Sequence, residues 1–120
     1  VSIETGAVTH RLIAAGGGFT VSLVAREQRA LVRKFVKPAT WDAANVTLND
    51  VPVAEAPVSG IPVLTGAQSG SPAAVDCRVV AQHDLGSHSL FVGEVVDVLG
   101  DVNEEFEILR MEDTKMSYGG

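Results

Sequence analysis

The pattern of apolar and polar positions is densest along Gly86-Ser87-His88-Ser89-Leu90-Phe91-Val92-Gly93-Glu94-Val95-Val96. A turn there hands a histidine to the first residue of a strand. Side chains alternate along extended chain, so Leu90, Val92 and Val96 share one side while Phe91 and Val95 share the other. Apolar residues on both sides predict a strand covered twice, as in a barrel wall. A histidine at the rim of a barrel stands where a pocket needs a titratable, hydrogen-bonding group.

The same reading extends along the chain. Val1-Ser2-Ile3-Glu4 reads as mid-strand, and a helix is expected from about Ala7 to Ala15. Gly16-Gly17-Gly18 stops that helix, since glycine takes the left-handed cap conformation without steric cost. Phe19, Val21 and Leu23 alternate with Thr20, Ser22 and Val24, which predicts a strand. A second helix is expected over 26–36, with Leu31, Val32, Phe35 and Val36 as its apolar stripe and Pro38 ending it. Residues 39–60 read as loop with short strands near Val46–Leu48 and Val51–Ala54. Pro62-Val63-Leu64 is a short strand and Gln68 to Pro72 a turn. Ala74–Gln82 and His88–Leu99 then make a long antiparallel hairpin with a glycine in its loop. Glu105–Leu109 is a last strand candidate, and the tail to Gly120 reads as loop. Repeated short strands with few helices point to a mainly β fold, a small barrel in a single domain over 1–120.

Composition narrows the function classes. The net charge of -6 argues against a general nucleic-acid binder. The charge is uneven, however. Five of the nine basic residues are Arg26, Arg29, Arg33, Lys34 and Lys37, and seven of the fifteen acids lie within 97–113. Such runs are either solvated surface or, for the basic one, a local positive field for one phosphate. No apolar run approaches the roughly 18 residues of a membrane span. The single cysteine, Cys77, allows no internal disulfide and gives no metal framework. It sits mid-strand as a buried, inert residue, and a reducing cytoplasm is the simplest compartment. Three dispersed histidines do not make a metal site. Dinucleotide, NTPase and hydrolase signatures do not occur in the sequence.

Four segments carry a resemblance. Gly86 to Val95 is similar to the Gly-Asp-His-x-Leu-Phe-Val-Gly-Glu-Val signature of the flavin reductase-like family. Val8-Thr9-His10-Arg11-Leu12-Ile13, followed by Gly18 to Leu23, resembles that family's helix-then-strand. Arg26-Glu27-Gln28 to Arg33-Lys34-Phe35 resembles the next helix. Ser59-Gly60-Ile61-Pro62-Val63-Leu64 with Val75-Asp76-Cys77 resembles the family's Gly-x-Pro-x-Leu and Glu-Cys pair. The resemblance implies a small antiparallel split β-barrel of the FMN-binding type with two short helices. It also implies roughly two strands ahead of Val1, including a Thr/Ser-rich segment that contacts flavin. The chain is therefore expected to be truncated at its front, with an open strand edge, a tendency to self-associate and poor flavin binding.

Site residues follow from the same resemblance. His88 matches the family histidine near the flavin ring and the nicotinamide, where it would act as the catalytic donor; otherwise it is a turn histidine bonded to backbone. Ser87 replaces the family's aspartate, which weakens any acid role for His88. Ser22 stands where the family has asparagine, so it contacts flavin or faces solvent as a strand serine. Thr9 begins the first helix, where free N–H groups meet a phosphate or are simply capped. Arg26, Gln28, Lys34 and Lys37 are candidates for the flavin phosphate and ribityl chain, with Gln28 and Lys37 preferred. Trp41 is a ring cover or, more simply, a hydrophobic anchor.

The implied function is NAD(P)H-dependent reduction of flavin. FMN, with FAD as the alternative, would lie in a cleft at a homodimer interface, NAD(P)H would be the electron donor, and a separate monooxygenase component would receive the product. The alternative is a non-catalytic FMN-binding protein or electron carrier. No nucleic-acid or membrane partner is expected.

Overall fold

In the computed structural model, residues 1–66, 69, 71–100 and 105–117 are described. The elements in order begin with β1 (Ser2–Glu4), α1 (Val8–Gly16) and β2 (Gly18–Ser22). A 3-10 turn at Arg26–Gln28 leads into α2 (Arg29–Phe35). Four two-residue strands follow as β3 (Trp41–Asp42), β4 (Thr47–Leu48), β5 (Val51–Pro52) and β6 (Ala54–Glu55). The chain then forms β7 (Pro62–Val63), β8 (Ala73–Asp84), β9 (His88–Gly100) and α3 (Met111–Thr114). The main sheet is antiparallel in the order β1-β9-β8-β2. It is curled into a half-barrel, flanked by the β3-β4-β5 meander and the β6-β7 pair.

The expected hairpin at the centre forms as β8 and β9. Gly86 closes its loop at φ 88, a conformation that disfavours any side chain. The ladder carries two irregularities. Asp76 faces Asp97 but Cys77 faces Val95, so Val96 is an extra residue on β9. Val79 faces Gly93 but Ala81 faces Val92, so Val80 is extra on β8. Each bulge bends the ribbon and increases its twist.

The bent ribbon is covered on opposite faces at its two ends. Near the hairpin tip, the ring of His10 on α1 lies edge-on to Phe91, 5.1 Å between centroids. Phe19 lies over Gly93 beside Cys77: a Cβ on that glycine would sit 2.6 Å from Phe19 Cζ and 2.9 Å from Cys77 Cβ. Glycine is needed there for packing and not for its dihedrals. At the other end the opposite face is covered by β6-β7, where Ala56, Val63 and Ala74 form a buried cluster with Leu99 against it. Thr20 Oγ1 donates to Pro62 O at 2.9 Å, tying β7 to β2. The Ser59 N–H donates to Asp76 Oδ2 at 3.1 Å, which fastens the 57–60 turn to β8. Asp76 is fully buried, and its Oδ1 has no partner among the described residues.

This arrangement corrects the expectation of a strand covered twice along its length. Phe91 is 1% exposed, but Val92 is 40% and Val95 53% exposed. One face is covered only around Ser89 to Gly93, and the other only around Ala74 and Leu99, so each apolar stripe is left partly open.

Other differences are local. The second helix is split into a 3-10 turn and α2. Trp41, read as ring cover or anchor, is half-exposed in β3 opposite Leu48. Asn49 and Asp50, both at positive φ, turn β4 back onto β5, as a two-residue hairpin loop requires. Glu105–Leu109 makes no strand, only an antiparallel bridge between Ile108 and Ala25. The tail read as loop contains α3. It forms because Asp113 Oδ2 accepts the Arg110 N–H at 3.0 Å, satisfying an amide at the helix start. Of the turn at Gln68–Pro72, Gln68 and Gly70 lie outside the described residues. Ser71 there bridges Gly66. The last three residues of the tail, 118–120, also lie outside them.

The Gly93 packing gives a direct test. Gly93→Ala should destabilise the protein by about 1–3 kcal/mol, the usual cost of overpacking a filled site. Urea denaturation measures it, and pairing the change with Phe19→Leu should recover part of the loss.

Candidate functional site

The expected site residues fall into two groups at opposite ends of the β8-β9 ribbon. The first stands at the hairpin tip. His88 opens β9 directly opposite Glu4 of β1. Its Nδ1 is 3.0 Å from Ser87 Oγ. The Thr5 N–H donates to Ser87 O and the Thr5 hydroxyl to Gly86 O, both at 2.9 Å. These bonds hold the turn that leads into α1 against the loop that presents His88. Ala7 occupies the N-cap position of α1, no side chain caps the helix, and its first turn contains no acid. Such a helix start carries partial positive charge and unsatisfied amides. Thr9 is exposed on that first turn. Neighbouring His10 points the other way, with Nε2 2.9 Å from the oxygen of buried Ser89.

The second group lies at the base. Ser22 ends β2 opposite Ala74 and lines a cleft of about 480 Å³ between α2 and the C-terminal segment. Gln28 and Lys37 are exposed, one in the 3-10 turn before α2 and the other two residues beyond its end. Lys34 is exposed on α2 itself. From Ala74, beside Ser22, to Asp84 near the tip runs roughly 30 Å of strand at about 3.3 Å per residue. The fold thus places His88 and Thr9 far along the ribbon from Ser22.

Arg26 has a different setting from the other cations. Its guanidinium bonds Glu107 Oε2 at 3.1 Å and Asp113 Oδ1 at 3.0 Å. Its backbone N–H donates to Glu107 O and the Leu109 N–H to Val24 O, each at 2.8 Å. Together these fasten the C-terminal segment across the end of β2. The hydrogen bond to Glu107, then the one to Asp113, raises the Arg26 pKa. Asp113 is held below the usual carboxylate range, chiefly by the Arg110 N–H and also by Arg26. Arg26 as placed is committed to two carboxylates. Cys77 is buried, and burial pushes its thiol pKa up, away from the reactive thiolate.

The His10–Ser89 contact and the Arg26 latch were not anticipated from sequence. Both join residues about eighty positions apart. The only local signal was an acid, Asp113, three residues after Arg110, where a helix start accepts one.

The family model for the flavin reductase like domain matches residues 1–119. The chain belongs to the flavin reductase-like family. No curated protein matches it in sequence. Among solved structures, it is similar to an NADH:FAD oxidoreductase of Streptomyces globisporus C-1027, with 24% identity and a TM-score of 0.71 over 91% of this chain and 61% of that one. It is similar to an FMN-binding protein of Thermus thermophilus at 27% identity and TM-score 0.65, covering 86% of this chain and 54% of that one. It also resembles the styrene monooxygenase flavin reductase of Pseudomonas putida S12 at 27% identity and TM-score 0.61, covering 85% and 59%. The chain therefore spans a little over half the length of these structures. A flavin nucleotide needs an anion site and an apolar slot for its ring. The uncapped start of α1 fits the first need and the base cleft the second, at opposite ends of one protomer.

The Arg26 latch predicts a pH dependence. A carboxyl whose folded pKa is depressed contributes stability above its unfolded pKa and loses it as pH falls through the folded value. Arg26→Ala should therefore lower the urea midpoint at pH 7, and the gap from the parent should shrink below about pH 4. An equal gap at pH 7 and pH 3 would assign the effect to packing of the arginine stem instead.

Proposed function

We propose that this chain is the flavin-binding part of an NAD(P)H-dependent flavin reductase. The observation that carries the reading is the shared rim at the hairpin tip. Thr5 ties the turn leading into α1 to the Gly86–His88 loop, so the uncapped helix start and His88 lie at the same end of the ribbon. The amides of the first turn of α1, with the Thr9 hydroxyl, bind phosphate. His88 donates a hydrogen bond from its imidazole to the flavin or nicotinamide ring, and acts as the catalytic residue. Ser87, standing at its Nδ1, orients the ring without the charge an aspartate would supply. A bound flavin, FMN first and FAD second, would supply the hydride-accepting ring.

Ser22, Gln28 and Lys37 enter the same site from a second copy of the chain. The homodimer is supported by Leu90 and Val92, uncovered apolar residues that share the face of β9 that also carries His88. In that arrangement the base of one protomer meets the tip of the other, and Lys37 pairs with the flavin phosphate. Reduced flavin then passes to a separate monooxygenase component. A second reading, an FMN carrier that does not use nicotinamide, is favoured by the serine where a carboxylate would raise the basicity of His88. The buried, unreactive Cys77 suits a reducing cytoplasm.

Two substitutions test the site. His88→Ala should slow NAD(P)H-driven flavin reduction while leaving the thermal midpoint nearly unchanged; normal turnover with a large loss of stability would make His88 a structural turn residue. Lys37→Ala should weaken FMN binding by about 1–3 kcal/mol, the range for a charge-assisted hydrogen bond, and leave riboflavin binding unchanged. Equal losses for the two ligands would remove lysine from the phosphate. Flavin binding without nicotinamide oxidation would favour the carrier.

The dimer has its own test. Leu90→Lys with Val92→Lys should shift the protein to monomer in sedimentation and weaken FMN binding together. A monomeric parent with full FMN affinity would remove the two-copy site.

A further inference from the structure

The contact between His10 and Ser89 has no part in the roles assigned so far. It is made beneath α1, where Ser89 and Phe91 are each 1% exposed. In such a setting a hydrogen bond is electrostatically stronger than in water. Ile13 is the one buried residue of α1, while Val8 and Leu12 are more than half exposed. His10 and Ile13 are three apart, on one face of the helix. Few side chains therefore fasten α1 to the sheet. Its start is held from within by His10 and at its entry by the Thr5 bonds to Gly86 and Ser87. His10 directly follows Thr9, and Ser89 directly follows His88. One shielded bond thus joins the immediate neighbours of the two residues proposed to meet the ligand. Thr9 lies about 100° round the helix from His10. His88 lies on the opposite face of β9 from Ser89.

We infer that His10, through Ser89, fixes the spacing between the anion site at the start of α1 and the His88 imidazole, and so is a positioning residue for a flavin that carries a phosphate. Its side chain touches no ligand and acts through the backbone of α1 and β9. This role rests on the reading of the tip as the phosphate and imidazole end of the flavin site. A ligand held at two points reacts well only when their spacing matches its own, and a misplacement near 1 Å can cost on the order of a hundredfold. FMN is held at both points. Riboflavin has no phosphate and is held at the ring alone. With the His10–Ser89 bond gone, the phosphate draws the FMN ring out of register with His88, while riboflavin settles against His88 as before. The bond therefore makes the tip selective for the phosphorylated flavin by distance as well as by charge.

Three variants test it. His10→Leu and Ser89→Ala remove the bond, whereas the side-chain amide of His10→Gln keeps both a donor and an acceptor for the serine hydroxyl. Affinity and NAD(P)H-driven turnover are measured with FMN and with riboflavin, and urea denaturation is run beside them. In His10→Leu and Ser89→Ala the advantage of FMN over riboflavin should fall roughly tenfold in both affinity and kcat, with the riboflavin values changed by less than about twofold. His10→Gln should restore most of that advantage. Should His10→Leu not fold, Ser89→Ala, which removes one oxygen atom, gives the same reading. A lowered urea midpoint with equal losses for the two flavins overturns the positioning role and leaves His10 a packing residue. An FMN advantage that survives in both variants overturns it as well. A parent protein that binds FMN no better than riboflavin removes the phosphate site itself, and the role of His10 with it. A parent preference carried unchanged into the variants removes the role of His10 alone.

Discussion

The β8-β9 ladder is the constraint on which the other parts depend. It pairs Ala73 with Gly100 at one end and Asp84 with Ser89 at the other, and both β1 and β2 attach to it. A two-stranded ribbon of that length cannot stay flat, because strands twist. The extra residues Val80 and Val96 concentrate the bend at two points. The bend allows two small cores to form on opposite faces: α1 with Phe19 and Phe91 near the tip, and β6-β7 with Ala74 near the base. The ladder joins the two.

The same geometry explains why large apolar side chains of the ribbon stay exposed. Each face of the ribbon is covered for only part of its length. Val92 and Val95 keep their hydrophobic side chains where a fully covered barrel wall would bury them. Apolar area left in water is a standing drive toward association. The two-copy reading uses that drive, and it also explains how residues at opposite ends of one ribbon can belong to one ligand.

Much of this was legible in the sequence, for physical reasons that differ by element. The hairpin, α1 and β2 declare themselves locally through alternation, Gly16-Gly17-Gly18 and the Gly86 turn, and the structure has them within a residue or two of the expected ends. The family could be read as well, because its signature is a run of adjacent residues. Partial cover of β9 was not legible: alternation says which side chains share a face, while bulges and the reach of a neighbouring helix decide what lies above them. Whether His88, Thr9, Ser22, Gln28 and Lys37 act together is likewise not a local property. Sequence groups them by likeness to a family; the register of β8 separates them by most of its length.

The C-terminal segment is the sharpest case. Glu105–Leu109 looks like a strand by composition, and Met111–Ser117 looks like loop. Only one antiparallel bridge forms, at Ile108, because the partner backbone at Ala25 is about to enter a helical turn and can extend the ladder no further. The segment is instead held by charge. Glu107 and Asp113 converge on Arg26, and Asp113 also accepts the N–H that starts α3. One carboxylate therefore does two tasks, ending the strap and beginning the helix. An exposed ion pair alone contributes little to stability. Here it acts with the backbone bonds of Arg26 and Leu109, so its effect is on where the segment lies more than on how strongly the protein folds. Placement is what gives the base cleft a second wall, and a cleft with two walls can select a ligand where an open strand end cannot.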